Sequence, residues 1–242
     1  METNFDKTYF INFGFTDSEF FKENSFNING FSLQERDHLK FLGIVVDKKL
    51  SWDYHIDSVC GKVSTGLFLL RKLSAYCNTE VLKVAYYGII HPHIIYGICL
   101  WGGCSDSKIQ RILLLQKKAV RIITGLKHRE SCKEHFKALS ILPVSSLYIL
   151  ETVLFFTSNY SFKEPNSAYS IRNQTLIRPN YHRLQLYDRL PMEAGRKLYN
   201  NLPDNIKTNC LKHFKINLKQ YLLQHTFYSV REFMDAYPIN II

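Results

Sequence analysis

From residue 51 to the far end of the chain, apolar residues recur at intervals of three and four. Ile56, Val59, Val63, Leu67 and Leu70 make one stripe, the spacing of an amphipathic helix, with Ser51 of a type that caps a helix start. A second helix is expected from Thr79, itself of a type that caps a helix start. It must kink or stop near Pro92, because proline lacks a backbone donor and its ring clashes with the preceding turn, and residues 94–101 resume it. The third helix, Lys108 to Thr124, has the clearest pattern. At about 100° per residue, Ile109, Ile112, Leu113, Gln116, Ala119, Val120 and Ile123 fall on one arc, and Arg111, Lys117, Lys118 and Arg121 fall on the other side. Shorter helices are expected at Glu130–Leu139, at Ser146–Thr157 with a fully buried apolar run, at Met192–Asn200 and at Cys210–Leu223.

Ahead of residue 51 the pattern changes to short apolar, β-branched runs. Residues 9–13 read as a strand, and Phe26–Ile28 and Phe31–Leu33 flank Asn29-Gly30, the dipeptide favoured in a type I′ hairpin turn. Residues 39–46 read as a further strand, interrupted by Gly43 and closed by a turn at Asp47-Lys48-Lys49. A glycine inside a strand implies a bulge or the close approach of another backbone. Thr16–Asn24 and the tail Pro238–Ile242 read as irregular. Residues 158–185, with Pro165, Pro179, Arg172, Arg178, His182 and Arg183, hold no sustained period and read as a linker. The fold class expected is α+β, mainly α. Its expected domains are strands over 1–50, a helical body over 51–157, a linker over 158–190 and a C-terminal helical segment over 191–242.

A chain of 242 residues with 46% hydrophobic content can bury a sizeable core. Its net charge of +10 favours a polyanionic partner. The 15 tyrosines and 17 phenylalanines supply rings for the core and for stacking on bases. No apolar stretch reaches the roughly 18–20 residues that span a bilayer, and no leader pattern follows Met1. A soluble intracellular protein of the nucleus or cytoplasm, not secreted and without a membrane partner, is therefore expected. The cysteines at 60, 77, 99, 104, 132 and 210 form no CxxC pair, so reduced, mostly buried thiols are expected. His91 and His93 beside Cys99 or Cys104 fall short of the four convergent ligands of a zinc site.

Several short motifs, in order, add an identity to this outline. Asn4-x-x-Lys7-Thr8 runs into the strand Tyr9–Phe13, and Lys40-Phe41-Leu42-Gly43-Ile44-Val45-Val46-Asp47 is followed by Leu50-Ser51-Trp52-x-x-His55-Ile56. Then come Tyr96-Gly97-x-x-x-Trp101, Gln116-Lys117-x-x-x-Arg121-x-x-x-Gly125, Leu139-x-Ile141-Leu142-Pro143, Tyr199-Asn200-x-Leu202-Pro203 and Phe214-Lys215. Together they resemble the carboxyl-terminal part of the reverse transcriptases of non-LTR, LINE-type, jockey-like retrotransposons. The resemblance implies that residues up to about 50 are the end of the palm, that Phe41, Leu42 and Gly43 belong to the primer-grip hairpin supporting the primer 3′ end, and that the helices from Ser51 to Gly125 are the thumb. Lys7 matches the lysine of the last palm motif.

Such polymerases join nucleotides with two metal ions held by aspartates, yet this chain has no adjacent pair of aspartates. The resemblance therefore implies a fragment without a catalytic residue and without a cofactor of its own, Mg2+ being expected only in the intact polymerase. Implied partners are an RNA template, an RNA–DNA hybrid and the missing palm and fingers. The residues expected to meet nucleic acid are Arg111, Lys117, Lys118, Arg121, Lys127 and Arg129, cations that can follow phosphates without reading sequence. A stand-alone module binding RNA or RNA–DNA hybrid, and a repurposed helical interaction protein, are the alternatives.

Overall fold

The computed structural model describes residues 8–13, 27–28, 30–160, 177–178, 187–208 and 210–236. The chain divides into two compact units, residues 1–58 and 59–242.

Among the described residues the first unit holds three two-stranded sheets. Strand β1 (Tyr9–Phe10) pairs in parallel with β4 (Gln34–Glu35), and β2 (Asn27–Ile28) pairs antiparallel with β3 (Phe31–Ser32). The connection between β2 and β3 is the expected Asn29-Gly30. Gly30 has φ +83°, as a type I′ turn requires, while Asn29 lies outside the described residues. The single strand that spacing alone predicts over 39–46 is instead a hairpin, as the resemblance implies, formed by β5 (His38–Phe41) and β6 (Ile44–Asp47), with Phe41 opposite Ile44. Gly43 thus sits in a turn and not in a bulge, and the apolar run is one strand folding back on itself. The region expected as a loop at 16–24 lies outside the described residues.

Helix α1 (Asp53–Leu73) begins in the first unit and continues into the second. Its whole expected stripe, Ile56, Val59, Val63, Leu67 and Leu70, is buried. Helix α2 (Thr79–Ile89) is capped by Asn78, whose side chain accepts from the Val81 amide at 3.1 Å, and not by Thr79. Asparagine is the stronger cap because its carbonyl reaches the third amide of the helix. Pro92 stops this helix and opens α3 (His91–Ile95), and Gly97, at φ +63°, turns the chain into α4 (Ile98–Trp101). The Trp101 indole donates to the Tyr96 carbonyl at 2.9 Å across that turn. Then follow α5 (Asp106–Thr124), α6 (Lys133–Ala138), α7 (Val144–Asn159), α8 (Pro191–Asn200), α9 (Leu211–His225) and α10 (Val230–Ala236).

Helix α7 is the axis of the second unit, packing against α3, α4, α5, α8, α9 and α10. Its first seven residues are all buried, and a helix apolar on every side is one surrounded by neighbours. The expected fully buried run is interrupted, because Phe155 is 41% exposed while Phe156 beyond it is buried. Helix α10 was not expected from sequence. The cysteines also differ from expectation. All six are free thiols, but Cys60, Cys77, Cys99 and Cys104 are half-buried and Cys210 is exposed, leaving Cys132 alone fully buried. Only Cys60 and Cys99 lie within helices; the other four sit in the segments between them.

Candidate nucleic-acid interface

The β5–β6 hairpin turns on Leu42 (φ +45°) and Gly43 (φ +86°), both left-handed, the signature of a two-residue type I′ turn. Glycine takes this conformation freely. Leucine pays steric strain there, because its Cβ crowds the following carbonyl. Leu42 nevertheless stands 75% exposed and its neighbour Phe41 63% exposed. The hairpin tip thus presents two large apolar side chains and a glycine backbone to the outside.

Below the tip, Asp47 is buried and organises the passage into α1. One carboxylate oxygen accepts from the amides of Lys49 (3.1 Å) and Ser51 (2.9 Å), and the other accepts from the Trp52 amide at 2.8 Å. Leu50 and Trp52 both take positive φ in this bend, and the carboxylate holds the strained segment closed. His55, one turn into the helix, accepts the Val45 amide on Nδ1 at 3.3 Å. The Asp47 and His55 of the sequence motif are thus positioning groups for the hairpin. Asp47→Ala should cost this bend about 3 kcal/mol, read as faster hydrogen exchange at the Lys49, Ser51 and Trp52 amides. Unchanged protection at those amides would refute the role.

Within the second unit, all seven residues expected on the buried arc of α5 are buried. The four cations of this helix expected to meet nucleic acid separate into two kinds. Arg111 and Lys118 are exposed on the outer side, with Leu114, 56% exposed, between them. Lys117 instead folds over the Tyr228 ring, its ammonium 3.8 Å from the centroid, and burial lowers its pKa from the ordinary lysine value. Lys133 extends the same arrangement by pairing with Glu232 at 3.0 Å, while Glu232 accepts the Tyr228 amide at 2.7 Å. Lys117 therefore fastens α5 to the start of α10.

Arg121 is half-buried and donates to the Glu130 carbonyl at 3.2 Å. The Glu130 carboxylate accepts the Lys127 amide at 3.2 Å, so the loop after Gly125, itself at φ +70°, is tied back to α5. That loop carries Lys127 and Arg129, both exposed. Arg111, Lys118, Lys127 and Arg129 are thus the outward-facing cations of the expected set, and Lys117 and Arg121 hold the elements that carry them. Arg178 is exposed. Lys7, Arg172, His182 and Arg183 lie outside the described residues.

One surface escaped the sequence reading. On the outward side of α1, Gly61, Thr65, Phe68 and Lys72 follow at helical intervals. Nothing comes within 4 Å of a Cβ built at Gly61, Phe68 is 57% exposed, and the Lys72 ammonium lies 5.6 Å from the Phe68 ring centroid. The stripe that marks the buried side of this helix also fixes its opposite face, and the alternation of small, hydroxyl, aromatic and cationic residues was there to be read. Among the described residues no helix is long and apolar enough to cross a membrane.

No protein-family model matches this chain, and no solved structure matches it. Among curated proteins it is 33% identical over 90 residues to the probable RNA-directed DNA polymerase from transposon X-element of Drosophila melanogaster, covering 36% of this chain and 10% of that protein. It is 31% identical over 100 residues to the probable RNA-directed DNA polymerase from transposon BS, covering 40% of this chain and 11% of that protein. To the RNA-directed DNA polymerase from mobile element jockey, also of D. melanogaster, it is 30% identical over 106 residues, 41% of this chain and 11% of that protein. The chain spans about a tenth of the length of the curated relatives it matches. Its curated homologues are thus the retrotransposon RNA-directed DNA polymerases that the sequence motifs imply.

Proposed function

We propose that this chain is a piece of a retrotransposon RNA-directed DNA polymerase that holds the template–primer, with the hairpin tip at the primer 3′ end and the cations of the helical unit on the phosphate backbone. The observation that carries this reading is the β5–β6 turn. It places a leucine in a left-handed conformation and leaves it and Phe41 exposed, although asparagine at position 42 would relieve the strain. Local strain that the fold does not need is a mark of a working surface. The β2–β3 hairpin of the first unit also exposes Ile28 and Phe31, which suits a sheet continued by other parts of a polymerase.

The outward face of α1 fits the same role. A small residue at Gly61 lets a backbone come close, Phe68 offers a ring, and Lys62 and Lys72 flank it with charge. A-like duplexes present a wide, shallow minor groove to such a helix, and they are held by shape and backbone contacts. Joining nucleotides is assigned to residues outside this chain. Phe41, Leu42 and Gly43 support, Arg111, Lys118, Lys127 and Arg129 attract, and none of them moves a proton or holds a metal. Partners on this reading are an RNA template and its hybrid with DNA.

The test is a binding titration of the full chain against a fluorescent RNA–DNA hybrid over a range of salt. Wild type should bind at low salt and weaken steeply as salt rises. Changing Arg111, Lys118, Lys127 and Arg129 together to glutamine should flatten the salt dependence by roughly one power of salt per lost phosphate contact and reduce low-salt affinity at least ten-fold. Folded wild type without low-salt affinity, or a variant that binds like wild type, would overturn the reading.

A further inference from the structure

The base of the first unit contains a cleft of about 620 Å³, lined by Tyr9, Arg36, His38, Lys40, Val45 and Tyr54 among others. That volume lies within the range of small-ligand sites. Its polar lining is one-sided: among the described residues three side chains that carry or can take positive charge face it, and no carboxylate does. The nearby carboxylate, Asp37, is paired with Lys48 at 2.8 Å.

Its rings are already organised. His38 and Tyr54 stack with centroids 3.9 Å apart and planes 16° from parallel. The Arg36 guanidinium lies 3.9 Å over the Tyr9 ring. His38 covers one face of the Tyr54 ring, and Tyr54 keeps 48% exposure. A ring backed by a cation or an imidazole on one face is held in place for a planar group on the other. His38 and Lys40 stand two apart on β5, with Val45 opposite Lys40, so the charge lies along one side of the cleft.

We propose that this cleft is a subsite for one unpaired nucleotide, its base stacked on the open face of Tyr54 and its phosphate held by Arg36 and Lys40. A base inside a duplex has no free face to offer, whereas an unpaired base does, and base–aromatic stacking tolerates every base. The subsite is independent of the duplex-holding surfaces. The same chemistry, a base with a phosphate, is offered by a single strand and by a free mononucleotide.

The experiment uses the full chain with fluorescent oligo(U), with and without competing uridine monophosphate, beside the variants Tyr54→Leu, Tyr54→Phe and Lys40→Gln. Tyr54 and Lys40 are exposed at the surface, and matching melting curves establish that the variants fold. Tyr54→Leu should weaken oligo(U) binding about ten-fold with an unchanged salt dependence, Tyr54→Phe should retain it, and Lys40→Gln should lower the salt slope by roughly 0.7. Displacement of oligo(U) by the mononucleotide identifies a nucleotide site, and its persistence identifies a strand site. Oligo(U) affinity unchanged in both folded Tyr54→Leu and Lys40→Gln overturns the proposal. Loss of hybrid binding with oligo(U) binding intact would remove the duplex reading alone, and the converse would remove this one alone.

Discussion

Replacing Gln116 by leucine is expected to lower the stability of the chain by roughly 3–5 kcal/mol. The side chain is fully buried in α5 and satisfies three groups at once. Its amide nitrogen donates to the Tyr86 hydroxyl and to the Leu142 carbonyl, both at 2.8 Å, and its amide oxygen accepts the Val144 amide, also at 2.8 Å. These bonds join α2, α5 and the start of α7. Leucine matches the volume and leaves a buried backbone carbonyl and a buried backbone amide without their partner, each costing about 1–3 kcal/mol. Tyr86→Phe removes one partner while Gln116 still reaches Leu142, so about 1 kcal/mol is expected. Burial holds the Tyr86 hydroxyl well above its ordinary pKa, so it acts as a neutral group throughout. Urea unfolding measures both changes; a Gln116→Leu midpoint matching wild type would show that water replaces the network.

Gly195→Ala sets two effects of opposite sign against each other. Alanine favours a helix over glycine by about 1 kcal/mol, so on propensity alone the change stabilises α8. A Cβ at this position, however, would stand 2.5 Å from the Phe156 Cβ and 2.8 Å from the Thr152 carbonyl oxygen. Neither is the end of a flexible side chain. The helices α7 and α8 would have to separate, and overpacking of this kind costs about 1–3 kcal/mol or more. Net destabilisation of about 2 kcal/mol is expected in thermal melting. Stabilisation instead would mean that α8 is free to shift along α7.

The helical unit was largely legible because its period survives in the sequence. The buried stripe of α1 and the buried arc of α5 follow from spacing alone, and Pro92 announced its own break. Lys117 was less legible. It lies about 100° from the centre of the α5 arc, at the border of the buried side, and its long stem bends onto Tyr228, which sequence spacing does not connect to it. Helix α10 was missed because its seven residues are too few to display a period. The hairpin was read as one strand because the usual type I′ signal is Asn-Gly, and here Leu42 takes the strained position. Expectation failed where a residue departs from the local rule, at the site best suited to a working surface.

Several residues that carried the resemblance turn out to be staples. Gln116 closes the core, Arg121 pins the 125–130 loop, and Asn200 both accepts from and donates to the backbone of Ile177 at 3.1 and 2.9 Å. Asp47 and Trp101 hold bends. Motif residues of this kind preserve the frame, while Phe41, Leu42, Lys118 and Arg129 stand exposed at the surface.

The most direct test of the central claim is a photo-crosslink from position 42. The full chain carrying a benzophenone amino acid in place of Leu42 is bound to an RNA–DNA hybrid with a recessed primer end and irradiated, and the crosslinked nucleotide is mapped. Crosslinks concentrated at the last few primer nucleotides are predicted. Crosslinks spread evenly along the duplex, or absent although the hybrid is bound, would contradict the account.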